Sequence, residues 1–285
     1  MKKYVYFTVV AAFIAFLGAT AFSANSTKAP TVRLEKKSSL TMRDVFTEDS
    51  VAAVQSKALE LSKSLGPNDK IYLYLDTPGG SIIAGKHLIS MLAALPQEVI
   101  TITSFAASMG FITAESLGER LVTHDGIYMA HRAKVGLDGQ MPGEINTRLQ
   151  FWTDVLAETE TNVGSRIALN LVEYRKLTKD EYWVSGEAAV KAKVADKVVD
   201  VQCGADLSGT SDETIQTLFG NVTVTFSDCP LISAPLKINF GALEDNVENH
   251  IEVTNLKNII YKVLMDKSSF AGDAVLQNSY YHYVR

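Results

Sequence analysis

The sequence predicts an α/β fold followed by a smaller C-terminal extension. After residue 30, segments with helical spacing alternate with short apolar runs, a pattern typical of parallel βαβ units. The chain has 285 residues and 47% hydrophobic content, enough for one large buried core. Near Gly204 the composition turns to glycine, serine, threonine and aspartate. We therefore predict a domain over residues 30–203 and an extension or small module over residues 204–285.

The first half of the domain reads as helix, strand, helix, strand. Apolar residues recur at helical spacing over residues 51–65 and again over residues 82–95. Short apolar runs over residues 71–76 and 99–104 predict buried strands. We expect these strands to be parallel neighbours.

The second half continues the alternation. The predicted segments are a helix over 107–117, short strands over 121–124 and 127–131, a long helical region over 143–172, and a strand, helix and strand over 182–201. In the extension, residues 221–226 alternate like a half-exposed strand, and residues 255–265 could form a helix before an aromatic tail. In the long helical region, Leu149, Trp152, Leu156 and Val163 fall on one side.

The N-terminus predicts export. Two lysines precede an uncharged apolar stretch over residues 4–22, and Ala19-Thr20-Ala21 has the pattern of a cleavage site. The stretch is also long enough to cross a bilayer. Residues 1–24 are thus a signal peptide or a retained membrane anchor, and both alternatives stay open. Either places the following chain in the periplasm or on the outer side of the membrane.

Charge and composition exclude some partners. The net charge is −5 and the basic residues are spread thinly, so we predict no nucleic-acid binding. No phosphate-binding G-x-x-x-x-G-K-[ST] motif occurs, and we predict neither a metal nor a cofactor. Cys203 and Cys229 either close a loop as a disulfide or remain two buried thiols.

A serine, a histidine and a glycine turn occupy the ends of successive predicted strands. The DTPGGS turn over residues 76–81 exposes the backbone N–H groups of Gly79 and Gly80, which suit a developing oxyanion. Ser108 follows the next strand, and His131 ends the strand after it. Since the carboxyl ends of parallel strands meet at one sheet edge, this pattern indicates a nucleophile beside its base.

Four sequence blocks resemble the Clp protease proteolytic subunit. They are DTPGGSIIAG, SFAASMGFITAESLGER, IYMAHRA and KDEYWVSGEAAVKAKVADKVVD. The similarity extends from Val32 to Val201, about 60% of the chain. It implies a crotonase-like fold of stacked ββα units and a serine peptidase activity.

The resemblance also implies roles for individual residues. Ser108 resembles the nucleophile, His131 the general base and Asp180 the acid that orients the base. Gly80 and Met109 resemble the residues whose backbone N–H groups form the family's oxyanion hole. We expect Gly79 and Ser81 to bind the substrate. Residues 139–182 resemble the family's oligomer-forming region in length and in helical character, and this similarity favours a homo-oligomeric ring.

The sequence departs from the family at several positions, which leaves alternatives open. Arg132-Ala133 replaces the usual Gln-Pro after the histidine. A membrane-associated peptidase with a lysine base, Lys86 or Lys134, is one alternative, and an inactive assembly protein or acyl-CoA chemistry on the same fold are others. No ATP is available to an exported enzyme in the usual periplasm. We therefore predict ATP-independent cleavage of peptides or unfolded protein segments.

Overall fold

The computed structural model describes residues 28–217 and 220–239. The predicted export segment over residues 4–22, the candidate helix over residues 255–265 and the aromatic tail lie outside the described residues. Among the residues that the structure describes, no helix has the length and apolar character needed to span a bilayer.

Helices and strands are interspersed between Thr31 and Cys203. The helices are α1 (Glu48–Ser64), α2 (Ile82–Ala93), α3 (Met109–Ala114), α4 (Gly143–Arg166), α5 (Leu171–Leu177) and α6 (Gly186–Lys191). The strands are β1 (Thr31–Leu34), β2 (Ser39–Met42), β3 (Lys70–Thr77), β4 (Glu98–Ala107), β5 (Arg120–Ala130), β6 (Tyr182–Ser185), β7 (Lys197–Val198), β8 (Asp200–Cys203), β9 (Thr210–Thr217), β10 (Gly220–Ser227) and β11 (Lys237–Asn239).

The main sheet has the order β2-β3-β4-β5-β6, and β7 also pairs with β5. Strands β2 to β5 are parallel, whereas β6 runs antiparallel to β5. A separate parallel pair joins β1 to β8, and β11-β10-β9 form a third, antiparallel sheet. The α/β fold class predicted from the alternating segments is confirmed.

Both faces of the main sheet are buried. Alternate residues of β3 point to opposite sides, so Ile71 and Leu73 join the larger core with the helices, whereas Tyr74 joins a smaller cluster. The smaller cluster includes Leu34 of β1, and the half-buried Cys203 packs against it. The parallel strands therefore appear in the sequence as continuous apolar runs rather than as alternating ones.

Two segments differ from the sequence-based expectation. The two short strands predicted around residues 121–131 form the single strand β5, in which pairing with β4 shifts between Thr103 and Phe105. The shift leaves the polar residues His124 and Asp125 at the middle of β5, and this polar interruption resembles a strand end in the sequence. The predicted long helix divides into α4 and α5, because Ala168 between them has a φ of 62°.

A disulfide joins Cys203 to Cys229. The two Cα atoms lie 5.8 Å apart, within the range that a disulfide spans. The sequence left open a disulfide or two buried thiols, and the structure contains the disulfide. The bond fastens the end of β8 to the segment that follows β10.

A buried ionic network lies around the start of β5. Arg120 donates to Glu115 Oε2 and to Asp196 Oδ1, each at 2.6 Å, and to the Lys193 carbonyl at 2.9 Å. The Glu115 side chain is fully buried, and its burial raises the pKa of this carboxyl to about 7 despite the attraction of Arg120. Arg120 thus provides the positive charge that stabilises the buried Glu115 carboxylate at the end of α3, the helix that follows Ser108.

We expect Arg120→Ala to lower the free energy of unfolding by about 3–5 kcal/mol, because it leaves Glu115 buried without its charged partner. The control is Lys70→Ala, which removes an exposed ion pair with Glu98 and should cost less than about 1 kcal/mol. Urea unfolding measures both values. Equal losses in the two variants would show that the buried network has no special role.

Candidate active site

Three turns at the carboxyl edge of the sheet form the candidate site. Strands β3, β4 and β5 are parallel neighbours, and each ends directly before one turn. The glycine turn (residues 78–81) follows β3, Ser108 follows β4 and His131 follows β5. Adjacent parallel strands therefore place residues that are far apart in the sequence side by side.

Ser108 and His131 form a hydrogen-bonded pair. The distance from Ser108 Oγ to His131 Nε2 is 2.8 Å. Ser108 has a φ of 54°, a strained value for a residue that is not glycine, and its N–H donates to the Met129 carbonyl at 2.8 Å. Strain held by the adjacent strands is typical of a functional position.

His131 is suited to act as a base. Its burial lowers the pKa of the imidazole, the nearby Lys134 lowers it further, and Glu181 opposes both effects. The imidazole is therefore neutral at pH 7 and can accept a proton from Ser108. Acceptance at Nε2 requires the tautomer with its proton on Nδ1.

The glycine turn requires glycine at Gly79 and Gly80. Their φ angles are 96° and 144°, in the region that side chains disfavour. A Cβ on Gly79 would lie 2.7 Å from Ser108 Cβ, and a Cβ on Gly80 would lie 2.6 Å from the Phe46 carbonyl oxygen. The backbone of the turn consequently approaches Ser108 more closely than any other residue type would permit.

The other predicted oxyanion and substrate positions lie at the same place. A Cβ on Gly79 would lie 2.8 Å from the backbone nitrogen of Met109, so this nitrogen is close to the glycine turn. The Met109 side chain is buried in the core. Ser81 borders the cavity, but its hydroxyl accepts a hydrogen bond from Ala84 N at 3.2 Å and caps α2.

A cavity of about 580 Å³ opens in front of Ser108 and His131. Its apolar lining includes Ile112 of α3 and Trp152 and Leu156 of α4. The sequence indicated that Trp152 and Leu156 share a helix face, but their spacing alone does not distinguish a cavity wall from a core contact. This lining can accommodate an apolar side chain of a ligand beside Ser108.

The structure does not bring Asp180 into contact with His131. Within the described residues, the exposed Asp180 side chain forms no hydrogen bond or ion pair. Its neighbour Glu181 has a φ of 71°, and its carboxylate accepts a hydrogen bond from Trp183 Nε1 at 3.0 Å. The antiparallel β5–β6 ladder ends at the pair of Ala130 and Tyr182, so Glu181 and His131 each lie one residue beyond the last pair.

The candidate lysine bases differ in position. Lys86 Nζ lies 3.3 Å from Glu158 Oε2, and Lys86 is not part of the cavity lining. Lys134 lines the cavity. Among the described residues, the hydrogen-bond partner of the Ser108 hydroxyl is His131.

The arrangement can perform nucleophilic chemistry on a carbonyl. It combines a hydroxyl, a neutral imidazole and a backbone turn open to a developing oxyanion. In the part of the chain that the structure covers, no group of histidine, cysteine and acidic residues could hold a metal ion.

Comparison with known proteins gives a family match. A family model described as Clp protease matches residues 23–202. The ATP-dependent Clp protease proteolytic subunit of Streptococcus suis (strain 98HAH33) is 29% identical over 160 residues, which cover 54% of this chain and 80% of the relative. The subunit of the same description from Streptococcus pyogenes serotype M5 (strain Manfredo) is 29% identical over 161 residues, with the same coverage.

We expect the rate at which a fluorophosphonate labels Ser108 to fall with acid pH, with a midpoint below the ordinary histidine pKa of about 6.5. Lys134→Ala removes a positive charge near His131 and should raise this midpoint, whereas Glu181→Gln removes a negative charge and should lower it. Lys86→Ala is the matched control and should leave the midpoint unchanged. Labelling rates measured from pH 4 to 9 test this, and shifts of the opposite sign would contradict it.

Proposed function

The chain belongs to the Clp protease family, and on this premise we propose that it is a serine endopeptidase that cleaves peptides or unfolded protein segments. The observation that carries the proposal is the 2.8 Å contact between Ser108 Oγ and His131 Nε2 beside an open cavity. The family match and the hydrogen bond between Ser108 and His131 both support peptide-bond cleavage by a serine nucleophile.

In the proposed mechanism, Ser108 attacks the carbonyl carbon of a peptide bond while His131 takes the hydroxyl proton at Nε2. The tetrahedral intermediate then collapses, and His131 gives the proton to the departing amine. Water, deprotonated by His131, attacks the resulting ester and releases the acyl group. The lowered pKa of His131 keeps the base unprotonated at neutral pH.

The backbone N–H groups of Gly80 and Met109 are proposed to stabilise the oxyanion. Met109 directly follows Ser108, and Gly80 directly follows Gly79, whose backbone lies close to Ser108 and to the Met109 nitrogen. Backbone donors fixed in advance cost no reorganisation when the negative charge develops. Gly79 and Ser81 would border the substrate on the same side of the cavity.

Members of this family form oligomeric rings, and we propose ring assembly for this chain. Helix α4 supports it because Leu149 and Phe151 are about half exposed, at 52% and 51%. Large apolar side chains exposed on one helix are typical of a contact surface. The ring size is left open by this proposal.

We propose that the protein is exported, to the periplasm or to the outer face of a membrane, and cleaves its substrates without ATP. The uncharged stretch over residues 4–22 supports export. The disulfide between Cys203 and Cys229 supports it independently, since such bonds persist in oxidising compartments.

We expect Ser108→Ala and His131→Ala each to lower kcat for a short fluorogenic peptide by on the order of 10³-fold or more, because each removes a partner of the reacting pair. Ser116→Ala and His124→Ala are matched controls away from the cavity and should retain wild-type activity. Activity that survives His131→Ala would favour Lys134 as base. A requirement for ATP and an unfoldase would contradict ATP-independent cleavage.

Asp180 is the proposed orienting acid, and Glu181 is the alternative that the register across from His131 favours. Catalytic hydrogen bonds often form fully only when substrate binds, and on this ground the proposal keeps Asp180. We expect Asp180→Asn to lower kcat by on the order of 10²–10⁴-fold through loss of the correct tautomer. Glu181→Gln should leave kcat at its pH optimum within about threefold. The reverse ranking in steady-state kinetics would assign the orienting role to Glu181.

A further inference from the structure

The C-terminal sheet β9–β11 contacts the segment that borders the glycine turn. The disulfide fixes Cys229, and the turn of residues 229–232 is closed by a hydrogen bond from Ile232 N to the Cys229 carbonyl at 3.1 Å. Two carbonyls of this turn receive hydrogen bonds from Arg43, the residue directly after β2. Residues 204–239 are therefore held to the peptidase domain by both a covalent bond and a guanidinium group.

The Arg43 side chain lies against the C-terminal sheet. Its Nη2 donates to the carbonyls of Pro230 at 3.4 Å and Ile232 at 3.2 Å. Its guanidinium carbon lies 5.9 Å from the centre of the Phe226 ring, within the range of a cation–π contact. Its Nε is buried and has no hydrogen-bond partner among the described residues.

The residues after Arg43 hold the start of the glycine turn. The Asp44 carbonyl accepts a hydrogen bond from Thr77 Oγ1 at 2.6 Å. The same Thr77 oxygen accepts a hydrogen bond from Gly79 N at 3.2 Å. A continuous series of hydrogen bonds therefore leads from the Arg43–Asp44 backbone to the turn beside Ser108.

Phe46 holds the turn on both sides of Gly80. Its N–H donates to the Gly79 carbonyl, and its carbonyl accepts from Ser81 N, both at 2.8 Å. The position of a Gly80 Cβ would be only 2.6 Å from the Phe46 carbonyl oxygen, so the two backbones are in close contact. A displacement of residues 43–46 consequently displaces the backbone N–H groups of the turn.

We propose that the C-terminal sheet, fastened by the Cys203–Cys229 disulfide, positions the glycine turn for catalysis through Arg43. Arg43 is a positioning residue, since it is not part of the cavity lining and acts through residues 44–46. The inference rests on the proposed peptidase function and adds a role for the extension. The extension lies outside residues 23–202, which the family model matches.

Other contacts limit the size of the effect. The Val45 carbonyl also accepts a hydrogen bond from Ser50 Oγ at 2.7 Å, which anchors the segment to the start of α1. Complete loss of one oxyanion donor lowers kcat by on the order of 10²–10³-fold. A partial displacement should therefore lower kcat by about tenfold and leave KM within about twofold.

The experiment compares Arg43→Ala, Arg43→Lys and the double variant Cys203→Ser/Cys229→Ser in the full chain. We expect kcat for a short peptide to fall about tenfold in Arg43→Ala and in the double variant. Arg43→Lys should be intermediate, because lysine keeps the charge but lacks the planar fork. Lys36→Ala is the control: it removes an exposed contact with Asp228 of the same extension, but lies outside residues 43–46, and kcat should not change.

Hydrogen–deuterium exchange of the amides of Phe46 and Ser81 provides the second measurement. We expect faster exchange at both amides in Arg43→Ala and in the double variant, and no change in Lys36→Ala. Unchanged exchange, or faster exchange with unchanged kcat, would overturn the inference. A wild-type protein that cleaves no peptide would overturn the proposed function instead, and the exchange rates would still decide whether Arg43 positions the turn.

Discussion

The parallel pairing of β3, β4 and β5 is the constraint on which the rest of the site depends. Each strand delivers one part of the site to the same edge, namely the glycine turn, Ser108 and His131. The 2.8 Å contact between the two side chains follows from this register, since Ala107 pairs with Met129, Ser108 directly follows Ala107, and His131 lies two residues after Met129. A slip of one residue in either ladder would reverse the direction of the side chains and separate them.

Burial has opposite consequences at the two ends of this sheet. At the carboxyl edge, partial burial lowers the pKa of His131 and keeps the imidazole neutral. At the start of β5, burial raises the pKa of Glu115, and Arg120 is needed as its partner. The neutral imidazole of His131 can accept a proton. The ion pairs of Arg120 join α3, β5 and the segment before β7. Ser108 thus lies between this buried ionic network, at the far end of α3, and the cavity that it lines with His131.

The parts of the site that directly follow a strand could be predicted from the sequence. Ser108, His131 and the glycine turn could be placed together because each follows a recognisable apolar strand. The cavity residues Trp152 and Leu156 could not be separated from core residues, since their spacing is the same in both cases. The break between α4 and α5 and the unbroken β5 depend on backbone angles and on register, which helical spacing and strand propensity do not encode.

The contacts of residues 229–232 show a further limit of prediction from sequence. The spacing of Cys203 and Cys229 allowed a disulfide but did not require one, because the Cα separation depends on the folded chain. The contact of Arg43 with the carbonyls of Pro230 and Ile232 joins residues nearly 190 positions apart, with sequence separations of 187 and 189. No local pattern indicates such a contact.

The central claim is that Ser108 becomes acylated during peptide cleavage. The most direct test is to quench the wild-type protein during turnover of a short peptide ester and to map the modified residue by mass spectrometry. We expect the acyl group on the tryptic peptide that contains Ser108, and its loss when the ester is exhausted. An acyl group on another residue, or turnover without any covalent intermediate, would contradict the claim.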